Sequence, residues 1–147
     1  MKITLCGSIA FYDKMQKIKE ELEKMSHVVD LPPIKVGKKY GRPMSAKEYY
    51  KIRKSSGKKE KWVWDMKKDA ILSHFEKVSW ADVILVINYD KNGIKGYIGA
   101  NTLIEMGLAL YLNKPIYLLN SIPDISYKEE ILGIKPIVIN GDLSKIN

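Results

Sequence analysis

One carboxylate in this chain stands in apolar company. Glu105 is flanked by Ile104, Met106, Leu108 and Ala109. It belongs to residues 100–113, where Leu103, Ile104, Leu108, Tyr111 and Leu112 recur near helical spacing. A carboxylate there either faces a cleft, partly desolvated, or favours the positive end of its own helix and points to water. A second group of residues could hold an anion. Gly7-Ser8-Ile9 follows an apolar stretch and precedes a helical one, so backbone N–H groups would converge at the turn and Ser8 would add a hydroxyl donor.

These groups need a scaffold, and the pattern supplies one. Val83-Ile84-Leu85-Val86-Ile87 is an unbroken apolar run of strand length, as expected of a central parallel strand buried on both faces. Residues 88–99 form a Gly-rich loop that leads into the Glu105 helix. Residues 2–6, 28–31, 116–119 and 136–139 read as further strands, and residues 13–25, 46–54 and 60–78 as helices. Residues 34–44 read as a loop and 55–59 as a hinge. Ser45 with Glu48, and Ser126 with Glu129, have the spacing of capping boxes. Right-handed crossovers then give a three-layer α/β sandwich. Its parallel, flavodoxin- or Rossmann-like sheet has five strands in the order 2-1-3-4-5. The switch point of that order brings the Gly7-Ser8 turn, the 88–99 loop and Glu105 to one crevice.

The 147 residues make one ordinary domain, with 46% hydrophobic content to fill a core. No apolar run is long enough for a membrane span. The opening residues lack a signal-peptide layout, and the single cysteine, Cys6, leaves no partner for an intramolecular disulfide. A cytoplasmic location is expected. The two histidines and scattered acids show no metal-ligand spacing, so neither a metal nor a cofactor is expected. Net charge is +8, unevenly spread: residues 35–68 hold 13 Lys and Arg against 3 Asp and Glu. That basic insertion is either a solvated helical face or a contact for an anionic partner such as a nucleotide or nucleic acid. Trp62 and Trp64 cannot both face one core patch, so one of them either faces a ligand or a partner chain or simply lies on the surface.

Three stretches resemble the nucleoside 2-deoxyribosyltransferase superfamily, which includes the 2′-deoxynucleoside 5′-phosphate N-hydrolases. They are Cys6-Gly7-Ser8-Ile9, Ala81-Asp82 before the apolar strand, and Glu105-Met106-Gly107-Leu108-Ala109 followed by Lys114-Pro115-Ile116. The resemblance implies that Glu105 attacks C1′ of the sugar, the base departs, and the glycosyl ester passes to water or to another base. It implies that the Gly7-Ser8-Ile9 turn lies near a 5′-phosphate, and that a homodimer completes the site from residues 121–131. The chain departs from the family at three points. His74 stands nearest to the acidic residue that protonates the leaving base, with Asp69 the nearest acid. Thr4 or Leu5 replaces a tyrosine of the first strand. Gly99 replaces a polar residue six positions before the glutamate, for which Asn101 or Asp90 could substitute.

The expected catalytic residues are therefore Glu105 and His74. The expected substrate contacts are Gly7, Ser8, Ile9, Asn88, Asp90, Gly99 and Asn101. Tyr40, Tyr49, Tyr50 and Trp64 of the basic insertion would offer stacking surfaces. The expected activity is cleavage or transfer of the N-glycosidic bond of a nucleoside or nucleoside 5′-monophosphate. A non-catalytic nucleotide-binding module is the alternative. A nucleic-acid-binding protein is less favoured, because no nucleic-acid motif is present.

Overall fold

The structure, a computed structural model, describes residues 1–55 and 57–147. The hinge read over 55–59 includes residue 56, which lies outside the described residues. In chain order the elements are β1 (Lys2–Gly7), α1 (Tyr12–Lys24), β2 (Val28–Asp30), β3 (Lys35–Val36), β4 (Met44–Ser45), α2 (Ala46–Lys54), α3 (Lys61–Trp80), β5 (Val83–Ile87), α4 (Ala100–Tyr111), β6 (Ile116–Leu118), α5 (Lys128–Ile134) and β7 (Ile137–Val138). Five strands form a parallel sheet in the order β2-β1-β5-β6-β7. Counting sheet strands alone, that is the expected 2-1-3-4-5.

Strand alternation divides the core into two layers. Ile3 and Leu5 of β1, with Val83, Leu85 and Ile87 of β5, point to the side covered by Met15, Ile18 and Leu22 of α1. Cys6, Ile84, Val86 and Leu118 point to the other side, against Val78 of α3, Met106 and Ala109 of α4, and Ile131 of α5. All five residues of β5 are buried, so its unbroken apolar run reflects burial on both faces. Thr4 of β1 donates its hydroxyl proton to Lys77 O at 2.9 Å and ties the sheet to the end of α3.

Gly7 pairs with Ile87 at the carboxyl end of β1. A Cβ built there would stand 2.7 Å from Met15 Cε and 2.9 Å from Ile87 O, so only glycine lets α1 and β5 approach this closely.

The basic insertion carries its own small core. Tyr49, Val63 and Met66 are buried together, with Val36, Tyr40, Met44, Ile52 and Trp62 packed around them. The capping box opening α2 forms as expected: Glu48 N donates to Ser45 Oγ at 3.0 Å, and Ser45 N to Glu48 Oε2 at 2.9 Å. Residues 34–44 differ from expectation. They hold an antiparallel ribbon of β3 and β4 around a 3-10 turn at Lys38–Tyr40, flanked by left-handed Gly37 and Gly41. Strands of two residues are too short to leave a periodic signal. The expected cap at Ser126 is also corrected. Helix α5 starts one residue after Tyr127, which makes no side-chain cap bond, so the Ser126–Glu129 spacing is coincidental.

Candidate active site

A cavity of about 410 Å³ opens at the carboxyl ends of β1 and β5, where the strand order reverses. Its lining comes from the turn after β1, Pro32-Pro33 after β2, the basic insertion with the inner face of α3, Lys91 and Tyr97 of the loop after β5, and the start of α4 with the glycine before it.

Glu105 lies on α4 one turn beyond Asn101, and both line the cavity. Its neighbour Met106 is buried in the core, which fixes the rotation of α4 and turns Glu105 inward. The Glu105 side chain is only 12% exposed, so it does not point to bulk water. His74 of α3 stands against it, with Nδ1 2.8 Å from Glu105 Oε1. This is close contact without the alignment of a hydrogen bond. Cys6 backs the pair: its sulfur, a ring nitrogen of His74 and a carboxylate oxygen of Glu105 all lie within 4.8 Å of one another. Burial first, then the charge and hydrogen bonding of Glu105, push the Cys6 thiol well above its ordinary value.

Four cations border the same cavity: Arg53 and Lys54 from the end of α2, Lys67 from α3, and Lys91 from the loop after β5. Among the described residues, none of the four has a carboxylate within ion-pair distance. Three of them surround one aromatic ring. Arg53, Lys54 and Lys91 stand 5.5, 5.6 and 5.5 Å from the centre of Tyr50. Among the described residues, Arg53 Nε is buried with no hydrogen-bond acceptor. Burial, reinforced by the positive charge of Arg53, lowers Lys67 to about 8, although Glu105 pulls the other way. Such a cluster is costly without a counter-charge and is relieved by an anion. Lys91 also donates to Ser8 Oγ at 2.9 Å, and Ala10 N donates to the same oxygen at 3.3 Å. The Ser8 hydroxyl proton is left for an acceptor in the cavity.

The structure brings Gly7, Ser8, Ile9, His74, Gly99, Asn101 and Glu105 to this cavity. It does not bring Asn88 or Asp90. Asn88 is fully buried and staples two loops: its amide donates to Asn120 O at 3.1 Å and Ser121 O at 3.0 Å, and its oxygen accepts from Asn120 N at 2.8 Å. Asp90 accepts from Gly96 N at 3.0 Å and shapes the loop. Gly96 has φ +64, and a Cβ there would come within 2.5 Å of Ser121 O. Both polar residues are therefore used within the protein.

Of the four aromatics singled out, Tyr49, Tyr50 and Trp64 line the cavity. Tyr40 instead donates to Asp69, which raises Tyr40 to about 12 and leaves Asp69 engaged outside the cavity. Trp62 packs on the insertion's core, while Trp64 is 51% exposed. Lys67 was not anticipated, although its signal was present: Lys67, Ala70, Ile71 and His74 lie at i, i+3, i+4 and i+7 and share one stripe of α3. Lys91 left no such signal, because a loop has no period.

The fold and site define a parallel α/β sandwich with an acid and four cations, unpaired among the described residues, in the crevice at its switch point. No protein-family model matches the chain, and no curated protein matches it. Among solved structures, the 2-deoxyribosyltransferase of Bacillus psychrosaccharolyticus matches with a TM-score of 0.50 at 18% identity, over 80% of this chain and 71% of that one. The CMP N-glycosidase of Clostridium botulinum matches with a TM-score of 0.45 at 14% identity, over 95% of this chain and 90% of that one. At such identity, what this chain shares with the deoxyribosyltransferase is the fold.

Proposed function

We propose that this protein cleaves or transfers the N-glycosidic bond of a (deoxy)nucleoside 5′-monophosphate, with Glu105 as the nucleophile. The observation that carries this reading is the pairing, within one cavity, of a nearly buried carboxylate with four cations that lack acidic partners among the described residues. A carboxylate shielded from water stabilises an oxocarbenium-like sugar and then bonds to C1′. Arg53, Lys54, Lys91 and the Ser8 hydroxyl take the phosphate, and Tyr50, Tyr97 or Trp64 offers a face to the base. The deoxyribosyltransferase fold supports a reaction at the same kind of bond.

In this reading His74 is a positioning residue. A retaining mechanism needs the sugar between nucleophile and proton donor, with about 5 Å separating the two groups. His74 touches the nucleophile itself at 2.8 Å. Lys67, lowered to about 8, is the cavity group that holds a proton at neutral pH and gives it up readily, so it takes the role of donor to the leaving base.

The test is chromatography of free base after incubation with matched nucleosides and their 5′-monophosphates. Base release is expected from the monophosphates, with kcat/KM at least tenfold above that of the nucleosides. Faster release from the nucleosides would remove the phosphate-binding role of the cations. A second reading, a nucleotide-binding module without turnover, is favoured by one contact, because His74 against Glu105 lowers the carboxylate's freedom to attack. Nucleotide-induced thermal stabilisation with no free base at any incubation time would support it.

A further inference from the structure

We propose that Cys6, His74 and Glu105 form a three-ligand site for a borderline divalent transition ion of the zinc class, and that its occupancy takes Glu105 out of catalysis. The site itself stands on geometry. Only its inhibitory effect rests on the role proposed for Glu105.

The three residues come from β1, α3 and α4, 68 and 31 positions apart along the chain, so no sequence spacing announces them. The fold gathers a sulfur, an imidazole nitrogen and a carboxylate oxygen within 4.8 Å of one another. Tetrahedral zinc, with bonds of about 2.0–2.3 Å, sets its ligand atoms roughly 3.5 Å apart, so side-chain adjustments of about an ångström would close the shell.

A second observation points the same way. His74 is 7% exposed, yet among the described residues neither ring nitrogen has an aligned hydrogen-bond partner, and Nδ1 has only the unaligned contact with Glu105 at 2.8 Å. Buried imidazoles ordinarily satisfy at least one nitrogen, and a metal ion is one way to do so. The donor set, one soft sulfur with one nitrogen and one oxygen, suits zinc or cobalt and not the all-oxygen shells of magnesium or calcium. Glu105 and His74 line the cavity, which gives the ion a route of entry and leaves a fourth position for water. On binding, the Cys6 proton passes to solvent, sulfur bonds to the metal, and His74 and Glu105 each give one lone pair. A carboxylate committed to the metal cannot attack a sugar carbon.

The test begins with the full chain stripped by EDTA and titrated with Co²⁺ alone. One equivalent of cobalt is expected to give visible d–d bands and a thiolate charge-transfer band, both displaced by Zn²⁺. Cys6→Ala and Cys6→Ser should each lose the charge-transfer band and bind at least 100-fold more weakly. His74→Ala should shift the d–d bands. Circular dichroism selects the variants that keep the fold, and the Ser variant preserves side-chain size. No cobalt spectrum, or one unchanged in a folded Cys6 variant, overturns the site. Wherever the wild type releases base, Zn²⁺ should stop it with the midpoint of the optical titration, and EDTA should restore it. Undiminished release at saturating Zn²⁺ overturns the inhibitory role. A wild type that releases no base under any condition would instead sink the glycosidase reading, and the optical titration would still decide the metal site.

Discussion

At the residue scale, Glu105, His74, Cys6 and Lys67 share one electrostatic problem. A carboxylate is drawn out of water and set beside a histidine, a protonated thiol and a depressed lysine. The lysine makes this testable by pH. Its folded value of about 8 lies below the ordinary value of 10.5, mainly through burial. As donor to the leaving base it acts as the ammonium. Base release measured as kcat/KM should therefore hold below pH 8 and fall about tenfold per unit above it. Lys67→Arg, which stays charged but does not give up its proton, should lower kcat/KM at least tenfold and abolish the limb at pH 8. A limb at pH 8 that persists in the Arg variant would take Lys67 out of the reaction. The sign for stability is the reverse. A lysine whose value is depressed by folding costs stability while both states are charged, and this cost fades as pH rises from 8 towards 10.5.

Elements explain why part of this was legible. The β5 run could be read because burial on both faces leaves an unmistakable pattern, and α2 because its capping box coincides with a composition change. Glu105 could be read as a charge among apolar neighbours on a periodic helix. Asn88 misled for a physical reason: an amide at the carboxyl end of a strand can serve a ligand or a neighbouring loop, and only tertiary contact decides. The same applies to the stretches that carried the family resemblance. Asp82 accepts from Lys2 N at 2.7 Å, and Lys114 donates to Ser79 O at 2.8 Å, so both hold the scaffold outside the cavity. The Cys6-Gly7-Ser8 turn serves both ends. Gly7→Ala should cost about 1–3 kcal/mol in denaturant unfolding, through the clash with Met15 and the carbonyl of Ile87. A midpoint unchanged from wild type would show that α1 shifts freely, and the close packing of the turn would lose its explanation.

At the scale of the whole molecule, charge and exposed apolar surface are both uneven. The basic insertion places three of the cavity's four cations, so it acts as part of the site's wall. Among the described residues, no helix is long and apolar enough to cross a membrane. Helix α4 leaves Ile104 and Tyr111, seven positions apart on one stripe, 43% and 82% exposed, and Ile104 also borders the cavity beside the exposed Trp64. The homodimer that the sequence resemblance implies would bury this stripe if its contact extends onto α4. Light scattering should give twice the chain mass for the wild type, and Tyr111→Glu should give the single-chain mass at micromolar concentration. A wild-type monomer at the same concentration would remove the contact.

The account depends most on Glu105. Its direct measurement is the rate of base release from a nucleoside 5′-monophosphate by the wild type and by Glu105→Ala, each verified as folded by cooperative thermal unfolding. The account predicts release by the wild type and a loss of at least 1,000-fold in the variant, about 4 kcal/mol of transition-state stabilisation. Release by the folded variant at the wild-type rate would contradict it.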